Sequence, residues 1–149
     1  MTTTDPSTVN RDTSLLYPKF AAKVLKAVDR CHGNGLEINV FEAWRSPARQ
    51  TCLYAQGRTS PGKVVTRAQA WESYHQLGLA VDLAFLRDGK WSWNGNWDKV
   101  TDIFLSEGLE SLKPYEQAHM QMTKGLHVKV AVALMRECGL QRVWMEVGG

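Results

Sequence analysis

A chain of 149 residues, 44% apolar and 22% charged, is long enough for one buried core and has the balance of an ordinary globular domain. No apolar run reaches the roughly 18 residues that a membrane-spanning helix needs, and a formal charge of +3 is too small to point to nucleic acid. Cys31, Cys52 and Cys138 are odd in number and widely spaced, which predicts reduced thiols held in a core rather than a disulfide framework.

Residues 1–10 are polar and Thr-rich, without the basic start and apolar stretch of a secretory signal, so the expectation is a protein made in the cytoplasm and not exported by that route. Residues 1–13 are poor in large apolar side chains and read as a flexible lead-in, leaving 14–149 as a single domain. Pro18 suits a first helical turn, and Phe20, Ala21, Val24, Leu25 and Val28 follow at helical spacing until Gly33 and Gly35. Leu36, Ile38 and Val40 alternate with Glu37 and Asn39 as a half-buried strand. Ser46-Pro47 is a cap and helix start, with a stop at Gly57 and an exposed loop over residues 58–63. Residues 80–86 form a second predicted strand, with Val81, Leu83 and Phe85 on one face and Asp82 and Ala84 on the other. Asp88-Gly89 marks a turn, and Trp97, Val100, Ile103 and Phe104 a short helix ending at Gly108. A last helix is expected over residues 126–137, before Gly139 and a strand-like tail. The irregular interleaving, without a βαβ rhythm, predicts an α+β domain with a small, mainly antiparallel sheet flanked by helices.

The residues able to do chemistry gather in Ser73-Tyr74-His75-Gln76-Leu77-Gly78-Leu79-Ala80-Val81-Asp82 and Glu116-Gln117-Ala118-His119. A catalytic zinc takes three nitrogen or oxygen ligands from the protein and keeps one position open. His75, Asp82 and His119 supply such a set. Glu116, three residues before the last, is close enough to take a proton from an attacking water and pass it to a leaving amine. Asp82 resists a structural reading, because it interrupts an apolar strand where an ionised carboxylate is costly unless paired or bound to metal. Glu116 alone is an ordinary loop acid, and His32 and His127 read as structural. Spacing alone leaves the metal site and the structural reading level.

The wider pattern adds to this. Trp44-Arg45-Ser46, Gln50, Leu53-Tyr54-Ala55-Gln56-Gly57-Arg58-Thr59, Pro61-Gly62-Lys63-Val64-Val65-Thr66 and the Ser-x-His-x-x-Gly-x-Ala-x-Asp run over residues 73–82 resemble the L-alanyl-D-glutamate endopeptidases of the peptidase M15 family. These are VanY-like zinc peptidases that include phage endolysins and bacterial wall hydrolases. The resemblance spans about residues 14–122 and is most specific from Arg45 to Asp82. It implies the compact fold shared with hedgehog-type domains, one Zn2+ per chain on His75, Asp82 and His119, and Glu116 as the base. It implies that Arg45 contacts substrate or the developing oxyanion, with a surface ion pair as the bland alternative. For Ser73 it leaves open substrate contact or bracing of the His75 loop.

The pattern breaks after Gly108-Leu109-Glu110. Relatives continue with Trp-Gly-Gly and carry Asp-x-Pro-His before the metal, whereas here Ser111-Leu112-Lys113-Pro114-Tyr115-Glu116 follows. The base is therefore Glu rather than Asp, and one cleft wall has its own shape. Trp91, Trp93 and Trp97 suit either a sugar-binding groove or a core, and their density favours the core. The resemblance implies hydrolysis of the L-alanyl-D-glutamate bond in peptidoglycan by a monomer of the endolysin type, waiting in the host cytoplasm until lysis. It brings no nucleic acid and no membrane anchor. A D-alanyl-D-alanine carboxypeptidase or dipeptidase on the same metal site is the nearest alternative, and a silent wall-binding protein of the same fold the next.

Overall fold

The computed structural model describes residues 5–148. Helix α1, Pro18–Gly33, starts on its proline and buries Phe20, Val24, Ala27, Val28 and Cys31 on one stripe. Strand β1, Ile38–Glu42, leads into α2, Pro47–Ala55, which Ser46 caps by accepting from the Arg49 N–H at 3.0 Å. After a long loop come a 3-10 turn, Tyr74–Leu77, then strands β2, Ala80–Arg87, and β3, Lys90–Ser92. Helix α3, Trp97–Ser106, is followed by β4, Glu110–Leu112, and β5, Glu116–Gln121. Two helices close the described chain, α4, Val128–Cys138, and α5, Leu140–Gly148.

The sheet runs β1-β2-β5-β4, antiparallel throughout, with β3 also paired to β2. It is the expected α+β arrangement. Both β1 and β5 reach Asp82, and both β1 and β3 reach Phe85, so β5 and β3 share one edge of β2 in turn. Val81, Leu83 and Phe85 lie in the core with Phe20, Val24, Val100 and Phe104 from α1 and α3, while Asp82 points to the opposite face. The terminal helices dock through Trp144, whose indole N–H donates to the Leu77 carbonyl at 2.8 Å and whose ring stacks on Tyr17.

Several expectations are corrected. The strand-like tail is helix α5, because Val143 and Val147, four residues apart, both face the core. Of the cysteines, only Cys31 is buried; Cys52 and Cys138 are exposed, and all three are free. The tryptophans divide: Trp97 is core, Trp91 half-buried, and Trp93 48% exposed. Within the expected lead-in, residues 5–13 lie against the domain: the Ala43 N–H donates to the Asn10 carbonyl at 2.7 Å, and Arg11 lies over the Phe41 and Trp91 rings. Residues 1–4 lie outside the described residues. His32 Nε2 donates to the Ile38 carbonyl at the start of β1, 2.7 Å away, and His127 caps α4 by accepting the Lys129 N–H, as structural histidines do.

Candidate metal centre

Strand register assembles the site. Directly opposed residues of neighbouring strands share a face, so the pairs Glu42–Asp82 and Asp82–His119 set three side chains in one row across the sheet. His75 joins from the 3-10 turn, where Ser73 Oγ accepts its backbone N–H at 3.2 Å. Gly78 ends that turn at φ +70°; a Cβ there would sit 3.2 Å from the Leu15 carbonyl oxygen.

The two imidazoles are held in defined tautomers. His75 Nδ1 lies 3.1 Å from the Ala43 carbonyl, which can only accept, so Nδ1 carries the proton and Nε2 presents a lone pair. His119 Nε2 lies 2.8 Å from Gln121 Oε1, which leaves its Nδ1 bare in the same way. Both bare nitrogens face Asp82 Oδ1, at 3.4 Å from His75 and 3.5 Å from His119. One donor atom from each residue lies within 4.8 Å of the others. His75 Nε2 and Asp82 Oδ1 are buried and have no hydrogen-bond partner. An orphaned lone pair in a protein interior is costly, and two side by side with a third donor fit a cation such as Zn2+.

Asp82's other oxygen, Oδ2, accepts from Arg45 at 2.8 Å. Burial opposes ionisation of Asp82, but His75, His119 and Arg45 outweigh it and hold the carboxyl well below its ordinary range. Burial likewise pulls His119 down, and the Asp82 carboxylate, helped by Gln121 and Glu116, more than reverses this, so the ring's pKa is raised.

Arg45 is a buried network hub rather than a surface ion pair. Its Nη2 donates to Glu42 and Asp82, each at 2.8 Å, and its Nη1 to Gln50 at 3.0 Å. Glu42 in turn accepts from Arg49 at 2.8 Å, and Gln76 donates to Gln50 and to the Arg45 carbonyl. Sequence reading passed over Glu42, Gln76 and Gln121. Glu42 had a visible signal, a carboxylate closing an apolar strand three residues before Arg45.

Glu116 opens β5. Ser111 and Leu112 are adjacent, yet pair with Met120 and Glu116, so a bulge of Gln117, Ala118 and His119 interrupts the ladder. Strict alternation would put Glu116 on the opposite face from His119; the bulge returns it to the cleft. There it lines, with Arg45, both the main cleft of about 890 Å3 and the recess holding His75 and His119. Ser73 also lines that recess.

A family model described as "VanY: D-alanyl-D-alanine carboxypeptidase" matches residues 13–103, more than half of the chain. The chain belongs to the VanY family. The match contains Arg45, Ser73, His75 and Asp82; Glu116 and His119 lie beyond it, and the β2–β5 pairing brings His119 to Asp82. Among curated relatives, this VanY-family chain is 41% identical over 108 aligned positions to the peptidoglycan L-alanyl-D-glutamate endopeptidase CwlK of Bacillus subtilis (strain 168), covering 64% of each chain. It thus spans somewhat less than two thirds of that relative's length. Among solved structures, it resembles the Serratia marcescens L-Ala D-Glu endopeptidase ChiX at TM-score 0.54 and 20% identity, over 75% of this chain and 84% of that one. It also resembles the D,D-pentapeptidase VanY of the VanB-type vancomycin resistance cassette, solved with Zn(II), at TM-score 0.56 and 20% identity, over 84% and 81%. At such identities these neighbours establish the fold.

Proposed function

We propose that this chain is a zinc-dependent peptidoglycan endopeptidase that hydrolyses the L-alanyl-D-glutamate bond of the stem peptide. The observation that carries the reading is the pair of orphaned buried ligand atoms, His75 Nε2 and Asp82 Oδ1, turned toward each other beside His119 Nδ1. The choice of bond draws on the 41% identity to an endopeptidase of that specificity.

Zn2+ on His75, Asp82 and His119 would polarise the scissile carbonyl and acidify water there. Glu116 is exposed and has no partner among the described residues, so its carboxylate is free to accept the attacking water's proton as the new C–O bond forms. The same carboxyl then returns the proton to the amine of D-glutamate as the C–N bond breaks. Arg45 fixes Asp82 through Oδ2, which keeps Oδ1 aimed at the histidines. Among the described residues Arg45 Nη1 donates only to Gln50, which leaves its second hydrogen available to a substrate carboxylate or the developing oxyanion. Ser73 braces His75 with its oxygen and keeps its hydroxyl hydrogen for substrate.

The proposal extends to setting: residues 14–149 work as one catalytic domain and as a monomer, in a phage endolysin held in the host cytoplasm until lysis. Bacteria expressing it should lyse only when a separate membrane-permeabilising protein is co-expressed. The bond itself is tested by mass spectrometry of purified peptidoglycan after digestion with the zinc-loaded protein. New N-terminal D-glutamyl peptides are expected. Free D-alanine without them would overturn the bond assignment in favour of a carboxypeptidase.

A further inference from the structure

Beside the main cleft, and sharing Trp93 with it, lies a shallow recess of about 360 Å3 lined by Trp93, Asn94, Asn96, Asp98 and Gln117. Its lining sets one exposed aromatic ring, Trp93, beside three side-chain amides, with the buried Trp97 beneath. The ring is built in rather than loose. Trp93 packs edge-on against Phe41 with centroids 4.9 Å apart, and its carbonyl accepts the Trp97 indole N–H at 2.7 Å. The next carbonyl, Asn94, accepts from Arg87 at 2.8 Å. Gly95 lies so close to Phe85 that a Cβ would fall 2.3 Å from its ring, which pins the loop to the core. A surface tryptophan whose ring packs on Phe41 and whose loop is fixed at three backbone points is preorganised, so little entropy is lost when a ligand covers it.

The amides are unspent. Asn96 uses only Oδ1, accepting the Lys99 N–H as the cap of α3, and Asn94 and Gln117 make no side-chain hydrogen bond among the described residues. Asp98 is paired with Lys113 at 2.6 Å, so the recess does not favour a cation. An aromatic ring with neutral donors and acceptors at its rim matches a pyranose, whose C–H face covers the ring while hydroxyl and acetamido groups meet the amides.

We propose that this recess is a saccharide subsite that takes the amino-sugar backbone of peptidoglycan. The inference rests on the proposed endopeptidase reading for one step. L-alanine, the first residue of the stem, is attached directly to the muramic acid, so an enzyme that cuts after it has only one residue, about 3.5 Å of chain, between the scissile bond and the sugar linkage. Trp93 borders the same cleft as Asp82 and Glu116, where the glycan then has to lie. A cut at the far end of the stem would place the sugar several residues away.

The test is equilibrium binding of the peptide-free disaccharide N-acetylglucosaminyl-N-acetylmuramic acid to the zinc-loaded protein, followed by the indole N–H signals in two-dimensional NMR. This readout does not depend on turnover, so it stands whether or not the bond assignment does. The Trp93 indole signal should shift on titration, and Trp93→Ala should weaken binding by about tenfold or more while the melting temperature holds. Asn94→Ala, at an exposed position outside the β5 bulge, should weaken it less and guards against a Trp93→Ala variant that misfolds. Cleavage of an N-acetylated free stem peptide, where active, should change less than about twofold in either variant. Absence of binding at millimolar disaccharide, or binding indifferent to both substitutions, would overturn the subsite. Failure to cleave the free peptide would count against the endopeptidase reading alone.

Discussion

Asp82 gives one carboxylate oxygen to Arg45 and leaves the other bare between two imidazoles, a division that decides what its neighbours can do. Because Oδ2 is committed, the guanidinium would act on the proposed ligand set as much as on substrate. Arg45→Lys keeps a charge but cannot reach Glu42, Gln50 and Asp82 together. It should lower zinc affinity by roughly 10- to 100-fold and also lower the melting temperature, since the buried Glu42 loses half of its pairing. Zinc titration with a competing chelator, beside thermal melts, checks both; unchanged values would remove Arg45 from the ligand-positioning role. Glu116 behaves oppositely, being exposed and without a partner among the described residues. Glu116→Gln should leave melting and zinc content intact while reducing hydrolysis by about 10²- to 10⁴-fold. Near-normal turnover would require another base. At this scale the sequence made His75, Asp82 and His119 readable as a candidate set, because metal ligands must be of few residue types, and the structure brings the three together. Glu42 and Gln121 act only through cross-strand or neighbouring contacts, which residue type does not announce.

Elements differ in how openly their sequences declare them. Strand β2 is apolar except for Asp82 and its last residue Arg87, so both its existence and the outlying Asp82 were visible. Strand β5, Glu116–Gln121, was not: Glu-Gln-Ala-His-Met-Gln has little β-branched or aromatic content, its cleft side is polar for chemical reasons, and a bulge breaks its alternation. Helix α5 misled because the Val-Trp-Met run resembles a strand, while its true signal is the four-residue spacing of Val143 and Val147. The 3-10 turn holding His75 depends on Gly78 at φ +70°, against the Leu15 backbone. Gly78→Ala should therefore cost about 1–2 kcal/mol, read as a lower denaturation midpoint, and weaken zinc binding as His75 shifts. A stable variant with normal zinc affinity would detach the turn from the site.

For the whole molecule, ligand chemistry couples metal, protons and folding. In the metal-free protein the raised pKa of His119 contributes stability that is present below the ordinary imidazole value and lost as pH rises through the raised one. Asp82, held low, contributes stability present above the ordinary carboxyl value and lost as pH falls through the depressed one. Zinc competes with the His119 proton, so its affinity should rise with pH across the imidazole range and its uptake should release protons. Calorimetric titrations in two buffers of different ionisation enthalpy measure that release; equal heats in both would contradict it. A ligand that binds only the folded chain also raises its stability, so a chelator should lower the melting temperature and added zinc restore it.

The most direct measurement is anomalous diffraction, recorded above and below the zinc absorption edge, from crystals of the zinc-loaded protein. The account predicts one strong peak that disappears below the edge, within bonding distance of His75 Nε2, Asp82 Oδ1 and His119 Nδ1, with Glu116 in the same cleft. It predicts that the peak is absent from crystals of His75→Ala prepared in the same way. A zinc peak elsewhere in the chain, or a fully occupied peak that persists in His75→Ala, would contradict it.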